Sequence, residues 1–338
     1  MRRALRRIAG IPAAPPRRRP GLRRPLLAVL VATLLAGPAW AQERTIRVVS
    51  GFAAGGASDL VSRLVADAVG PLLGARGVVE NRTGANGAIG AAEVARSAPD
   101  GMTVFQCPMS TLAIAPQLIG ANLPVDPGEA LAPLANIALS SYGFMVAANG
   151  PYRSVEDVLA AARARPGQLT FGSAGVGSAQ HLSGELMKQL ARVEMTHVPY
   201  RGANPAIIDI LGGRTDFMMT NLADASQQIR DGALRLMAVG DEVGSPAFPG
   251  VPPLSRIIPG FQVTGWFGIC GPKGMPAEVT QRWVAALRQA MAQPALQQRL
   301  ISSGLTPHFE DPEALGQRLA NDRRQWREVI RSVNVRAE

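Results

Sequence analysis

With 338 residues, 47% of them apolar and 18% charged, the chain has a folding composition and room for two ordinary domains, which excludes a disordered protein. Its formal charge of +10 suggests a nucleic-acid partner, but nine arginines (2, 3, 6, 7, 17, 18, 19, 23 and 24) and no acid precede residue 42, leaving +1 for the remainder. A nearly neutral body excludes a phosphate-tracking surface, so no nucleic acid is expected.

The basic start has a meaning of its own. It runs into an apolar stretch, 26–35, broken by Gly37 and Pro38 before Ala39-Trp40-Ala41. That is the order of a secretory signal, with cleavage after Ala41 and export to the periplasm. The stretch is too short to span a bilayer, which disfavours an uncleaved anchor. Arg23-Arg24 leaves general and twin-arginine export both open. Two cysteines follow, Cys107 and Cys270. Export permits a disulfide, but two buried free thiols is the plainer expectation, because spacing alone cannot show proximity.

From residue 45 short β runs alternate with amphipathic helices. Residues 45–50 (TIRVVS) predict a strand, and 58–69 a helix with Leu60, Leu64, Val65 and Ala68 on one face. A strand is expected at 77–82, a helix at 87–96, a strand at 103–108 and a short helix at 111–119. A buried strand at 143–148 precedes a helix at 154–165, opened by a capping-box-like Ser154 and Asp157 and stopped by Pro166-Gly167. Strands at 169–173, 195–200, 217–221 and 235–239 then alternate with helices at 178–190, 205–211 and 224–230. A Pro/Gly-rich loop covers 241–259, a strand follows at 263–270, and helices at 276–291, 294–303 and 312–332 close the chain. The alternation predicts α/β architecture with mainly parallel sheets. Both halves begin with strand, glycine-rich turn and helix. The expected organisation is therefore two domains, 42–145 plus 262–338 and an inserted 146–261, with hinge crossings near Phe144 and Phe267.

Three turns sit where a strand ends and a helix begins: 51–59 (GFAAGGASD), 107–111 (CPMST) and 172–178 (GSAGVGS). In an open parallel sheet such turns hold ligands, and unpaired amides at a helix start favour an anion. The first has phosphate-loop spacing, but Ala57 stands where lysine is required. The third begins a dinucleotide fingerprint, but Gln180 takes the place of its last glycine. Neither nucleotide reading holds, and the glycines could simply shape tight turns. Within reach of these turns, Ser110 and Thr111 are candidate ligand contacts. Asp59 either complements its helix dipole or accepts from a ligand donor. Tyr200 ends a strand before Arg201, which either pairs with a carboxylate or is a solvated charge. Asn221 and Asp224 either line the cleft or cap the helix that follows.

Catalysis has thin support. His181 lies one turn after Ser178 and could act as base for Ser173 or Ser178, but Ser173 is not in a nucleophile elbow. His197 and His308 each stand alone, and no spacing suggests a metal or cofactor. An exported hydrolase is therefore the alternative, and an orphan sensory binding protein a further one.

The stretches GFAAGGASDLVSRLVADAV, VVENRTGANGAIGAAEVARSAPDGMT, FGSAGVGSAQHLSGELMKQL, THVPYRGANPAIIDILGGRTDFMM and GWFGICGPKGMP resemble the Bug-type receptors, the substrate-binding components of tripartite tricarboxylate transporters. The resemblance implies a periplasmic-binding-protein fold (type II-like, with an interdomain cleft) closing on its ligand like a flytrap. It implies no enzymatic activity and no cofactor. It also implies a small carboxylate ligand, membrane transporter subunits as partners and a monomeric receptor. The residues it points to are Phe52, Ala53, Gly56, Ala57 and Asp59 in one domain and Ser173, Ala174, Gly175, Ser178 and His181 in the other, partly through bridging waters. Relatives often carry proline in the first turn where Ala54 stands here, which bears on the identity of the ligand.

Overall fold

A computed structural model describes residues 44–242 and 244–337; the expected leader lies outside them. In chain order the elements are β1 (Thr45–Ser50), α1 (Ala57–Val69), β2 (Arg76–Asn81), α2 (Ala88–Ala95), β3 (Thr103–Pro108), α3 (Pro127–Ala130) and β4 (Leu131–Ala147). Then come α4 (Val155–Ala164), β5 (Thr170–Ser173), α5 (Ala179–Ala191), β6 (Thr196–Pro199), α6 (Ala203–Leu211), β7 (Phe217–Asn221), α7 (Leu222–Arg230) and β8 (Leu234–Val239). β9 (Thr264–Pro272), α8 (Ala277–Met291), α9 (Pro294–Ser302), β10 (Thr306–Glu310) and α10 (Pro312–Val333) complete the chain.

The strands run β2-β1-β3-β9-β4-β7-β5-β6, with β8 and β10 added on β4. β4 is the common member. Its residues from Leu131 to Ser141 pair antiparallel with β9, and its residues from Tyr142 to Ala147 pair with β7 and β8. One half-sheet is thus built on β1, β2, β3, β9 and β10, the other on β5, β6, β7 and β8. The change of partner falls at Ser141–Tyr142, where Gly240 N–H donates to the Tyr142 carbonyl at 2.7 Å and Val263 N–H to the Gly240 carbonyl at 3.1 Å. The chain passes between the half-sheets at these two places. The β1–β2, β1–β3, β5–β6 and β5–β7 ladders are parallel, so the ends of β1, β3, β5 and β7 open toward helix starts, as βα units require.

Local physics accounts for most elements. The Ser154 hydroxyl accepts from Asp157 N–H while Asp157 takes the Ser154 N–H, the reciprocal cap its sequence implies. Val48, Val49, Phe105, Leu134, Ile137 and Ile269 are fully or almost fully buried in the first half-sheet, and Phe171 and Phe217 in the second. Phe217 stacks on Phe144 and Phe171, with centroids 4.9 and 5.6 Å apart, joining β4, β5 and β7 through one aromatic column.

Three expectations are corrected. β4 begins at Leu131, twelve residues before the expected strand, and β10 appears where none was expected. The short helix expected at 111–119 does form, as a π-helical turn, Ser110–Ile114, followed by a 3-10 turn, Ala115–Gln117. Cys107 and Cys270 form a disulfide, with Cα atoms 5.9 Å apart, and are not free thiols. The reason is register: β3 and β9 run antiparallel with Phe105 opposite Cys270 and Cys107 opposite Gly268, which sets the two cysteines as diagonal neighbours on one face.

Candidate functional site

The turns after β1 and β5 come from different half-sheets and meet over one cavity of about 180 Å³. Two hydrogen bonds cross between the half-sheets beside it. Ala57 N–H, the first amide of α1, donates to Asp224 Oδ1 at 2.8 Å, and Asn86 Nδ2 donates to the Gly177 carbonyl at 2.9 Å. Asn86 holds left-handed backbone at φ 51°, a conformation asparagine tolerates better than most residues, and also donates to the Ser110 carbonyl at 3.3 Å.

The predicted residues divide into two groups. Phe52, Ala53, Gly56 and Ala57 line the cavity from the first turn, Ser110 from the turn after β3, Ala174 from the turn after β5, and Asn221 and Asp224 from the start of α7. Asp59, Thr111, Ser173, Gly175, Ser178, His181 and Tyr200 do not line it. They lie behind it, engaged through their side chains or, at Gly175, through the backbone carbonyl. Asp59 accepts from Gly55 N–H, the Arg63 guanidinium and Asn81 Nδ2, and Arg63, Gly55 and Asn81 outweigh burial to hold its pKa below the ordinary value. The Thr111 hydroxyl donates to the Asn86 carbonyl at 2.9 Å. The Tyr200 hydroxyl donates to Asp209 at 2.7 Å, while its own N–H donates to the Ser173 carbonyl at 3.1 Å.

The turn after β5 is closed on itself. Ser178 caps α5 by accepting from His181 N–H, and its hydroxyl donates to the Gly175 carbonyl at 2.7 Å. Gly177 N–H donates to His181 Nδ1 at 3.1 Å, which leaves that nitrogen unprotonated. The Ser173 hydroxyl donates to the Gly175 carbonyl and sits 2.6 Å from His197 Nε2. His197 looked solitary along the chain; it stacks on His181 with ring centroids 3.7 Å apart. Burial above all lowers both pKa values, His181 to about 3 and His197 to about 4. The hydrolase alternative fails on this geometry. Ser173 is fully buried away from the cavity, its histidine neighbour is not His181, and the His181 nitrogen that would take a proton already holds an amide.

Asn221 and Asp224 do more than start a helix. Asn221 Oδ1 accepts from Ser140 at 2.7 Å, and its amide donates to Asp224 Oδ2 at 3.3 Å. Asp224 Oδ2 also accepts from the Thr220 hydroxyl at 2.6 Å. Burial raises the Asp224 pKa, opposed by these bonds, by Ala57 N–H and by the Gln180 side chain.

Several wall residues escaped the sequence reading. Tyr142, Gln180, Asn204, Trp266 and Phe267 all line the cavity, as does Arg201, whose role the sequence left open. Trp266 and Phe267 stand where β9 leaves the crossing, and Tyr142 where β4 changes partners. The signal that could have found them is positional: both crossings run beneath the cleft, so aromatic residues there form its floor. Among the described residues no group of three His, Cys, Asp or Glu side chains could hold a metal, and no helix is long and apolar enough to cross a membrane.

Comparison with known proteins identifies the family. The family described as "Tripartite tricarboxylate transporter family receptor" matches residues 61–335. Protein BugT of Bordetella pertussis is 29% identical over 298 residues, covering 87% of this chain and 90% of that protein. The solved structure of the periplasmic binding protein BugD superposes with a TM-score of 0.80 at 29% identity, over 88% of this chain and 99% of that one. R. palustris Rpa4515 with adipate superposes with a TM-score of 0.83 at 27% identity, with the same coverage. The fold is that of two-domain periplasmic binding proteins, and the chain belongs to the tripartite tricarboxylate transporter receptors, as a Bug-type solute-binding receptor and not an enzyme.

Proposed function

We propose that the protein captures a small carboxylate metabolite in the cavity between its half-sheets and delivers it, closed and monomeric, to a membrane transporter. The observation that carries this reading is the convergence of the Ala57 and Ala174 turns, from separate half-sheets, on one cavity bridged by the Ala57–Asp224 and Asn86–Gly177 hydrogen bonds. Two walls that touch the same small molecule bind it better together than apart, so ligand shifts the population toward closure. The adipate in the R. palustris relative supports the carboxylate class.

On this reading the domains are 42–145 plus 262–338 and 146–261, hinged where the chain passes between half-sheets. Phe52, Ala53, Gly56, Ala57, Ser110, Ala174, Asn221 and Asp224 face the ligand. Asp59, Thr111, Ser173, Gly175, Ser178, His181 and Tyr200 hold the turns that present them. The protein is exported to the periplasm with its signal cleaved after Ala41, so amino-terminal sequencing of the exported protein should begin at Gln42.

The direct experiment is a thermal-shift screen of organic acids on the mature protein. A true ligand at about 100 times its Kd adds about 2.7 kcal/mol to stability and raises the Tm accordingly. Folded protein that answers to no carboxylate defeats the proposal.

A further inference from the structure

The floor of the cavity holds a carboxyl group of the protein's own. Asp224 is only 9% exposed, yet it lines the cavity. Its Oδ1 takes the Ala57 N–H, and its Oδ2 takes the Thr220 hydroxyl and the Asn221 amide. Gln180 Nε2 reaches Thr220 Oγ1 at 3.5 Å, which directs the Thr220 proton onto Asp224. Three donors therefore converge on the carboxylate, the pattern of an ionised acceptor. No Lys or Arg pairs with it among the described residues.

This arrangement changes what the site can hold. The first amide of α1 is where a helix start would grip a ligand anion, and Asp224 already fills that position. Oδ2 has both acceptor positions used, while Oδ1 accepts one bond and keeps room for another. The cationic residue on the cavity wall is Arg201, which is exposed where Asp224 is buried. Phe52, Met109, Trp266 and Phe267 supply the apolar surface of the same cavity. The cavity is thus lined by a cation on an exposed residue, by apolar surface and by a carboxyl on a buried residue.

Building on the carboxylate-receptor reading above, we infer that the ligand carries one carboxylate and, at its other end, an ammonium or amide N–H that donates to Asp224. Its carboxylate lies toward Arg201 and its donor toward Oδ1. A second carboxylate in place of the donor sets two like charges together in a poorly solvated place, which the site rejects. By this inference the receptor differs from the adipate-bound relative in the ligand it selects.

The test uses matched ligands on the intact mature receptor, by isothermal calorimetry: ω-amino acids of three to six carbons and their terminal amides against dicarboxylates and plain monocarboxylates of equal length, with 4-(aminomethyl)benzoate against terephthalate as an aromatic pair. The best donor-bearing compound should bind at least about tenfold more tightly than its dicarboxylate counterpart. Asp224→Asn keeps an oxygen for Ala57 and removes the charge, so the ammonium preference should collapse and the dicarboxylate gain. A dicarboxylate, or a plain monocarboxylate, that equals the donor-bearing compound on the unaltered receptor overturns the inference, whether or not the variant folds. An unchanged ammonium preference in folded Asp224→Asn overturns it as well. Silence from every acid in the panel instead defeats the carboxylate reading on which it rests.

Discussion

The two turns that face each other across the cavity perform one task by opposite means. The first, after β1, is held mainly from outside, by Gly51 packed on the Gly87 backbone and by Asn81 Nδ2 donating to the Phe52 carbonyl, with Asp59 taking the Gly55 N–H. A Cβ on Gly51 would lie 2.7 Å from Gly87 Cα, and one on Gly87 would lie 2.4 Å from Thr111 Oγ1. The second, after β5, is held from inside by side chains: Ser173, Ser178 and His181 bond to the turn's own carbonyl and amide groups. A glycine-packed turn leaves its surface free for a ligand, and Phe52, Ala53, Gly56 and Ala57 all reach the cavity. A turn braced by its own hydroxyls spends them, and of its predicted residues Ala174 alone reaches the cavity. Ser173 and Ser178 fasten this loop and do not line the cavity.

The comparison is most exposed at Gly87. Its φ of 87° disfavours any side chain, and the added Cβ meets a Thr111 hydroxyl that is itself bonded to the Asn86 carbonyl. Gly87→Ala should lower stability by about 3 kcal/mol, combining overpacking with left-handed strain, and should weaken ligand binding because Asn86 and Phe52 must move. Denaturant unfolding and calorimetry read the two effects. A variant as stable as the parent would show that the first turn does not depend on close packing around Gly87.

What was legible in the sequence followed local rules. The βα alternation, the Ser154–Asp157 cap and the glycine turns each depend on residues a few positions apart. What was hidden depends on distant pairing. Residues 131–141 contain Pro133, Asn136 and Ser140 and resemble a loop, yet they form strand because β9 and β10 pair with them on either side, with register shifts around Pro133 and Asn136. The disulfide joins residues 163 apart, and the Ala57–Asp224 bond residues 167 apart. His197 looked idle because its partners, Ser173 and His181, lie on the neighbouring strand and on the helix that strand feeds. Of the site, the turns were readable, and the aromatic floor, the Asn86 bridge and the use to which each hydroxyl is put were not.

Acid should loosen the second turn before the first. His181 and His197 have folded pKa values of about 3 and 4, below the ordinary value near 6.5, so the unfolded chain takes up protons first. Their contribution is present above about pH 6.5 and is lost as pH falls toward the folded values. Between pH 7 and 5.5 the loss should be about 2 kcal/mol, with the partly exposed His197 contributing the smaller share because solvent screens it. Thermal melts across this range should slope accordingly, and a His181→Gln, His197→Gln double variant should flatten the slope. An equal slope in the double variant would place the acid sensitivity elsewhere.

The smallest effect discriminates most finely. Ser178→Ala removes the hydroxyl that caps α5 and steadies the Gly175 carbonyl, while Ala174, the neighbour that faces the cavity, is untouched. A lost cap costs about 1 kcal/mol, and that cost should appear in the melting temperature of the ligand-free protein. If Ser178 only fastens its turn, affinity should fall by less than about tenfold, because the ligand loses no direct partner and must only order a slightly looser loop. A drop beyond that, with the melting temperature of the free protein unmoved, would mean that the Ser178 hydroxyl turns to the ligand when one is bound. The inside-braced turn would then be a second gripping surface, and the contrast between the two turns would belong to the empty receptor alone.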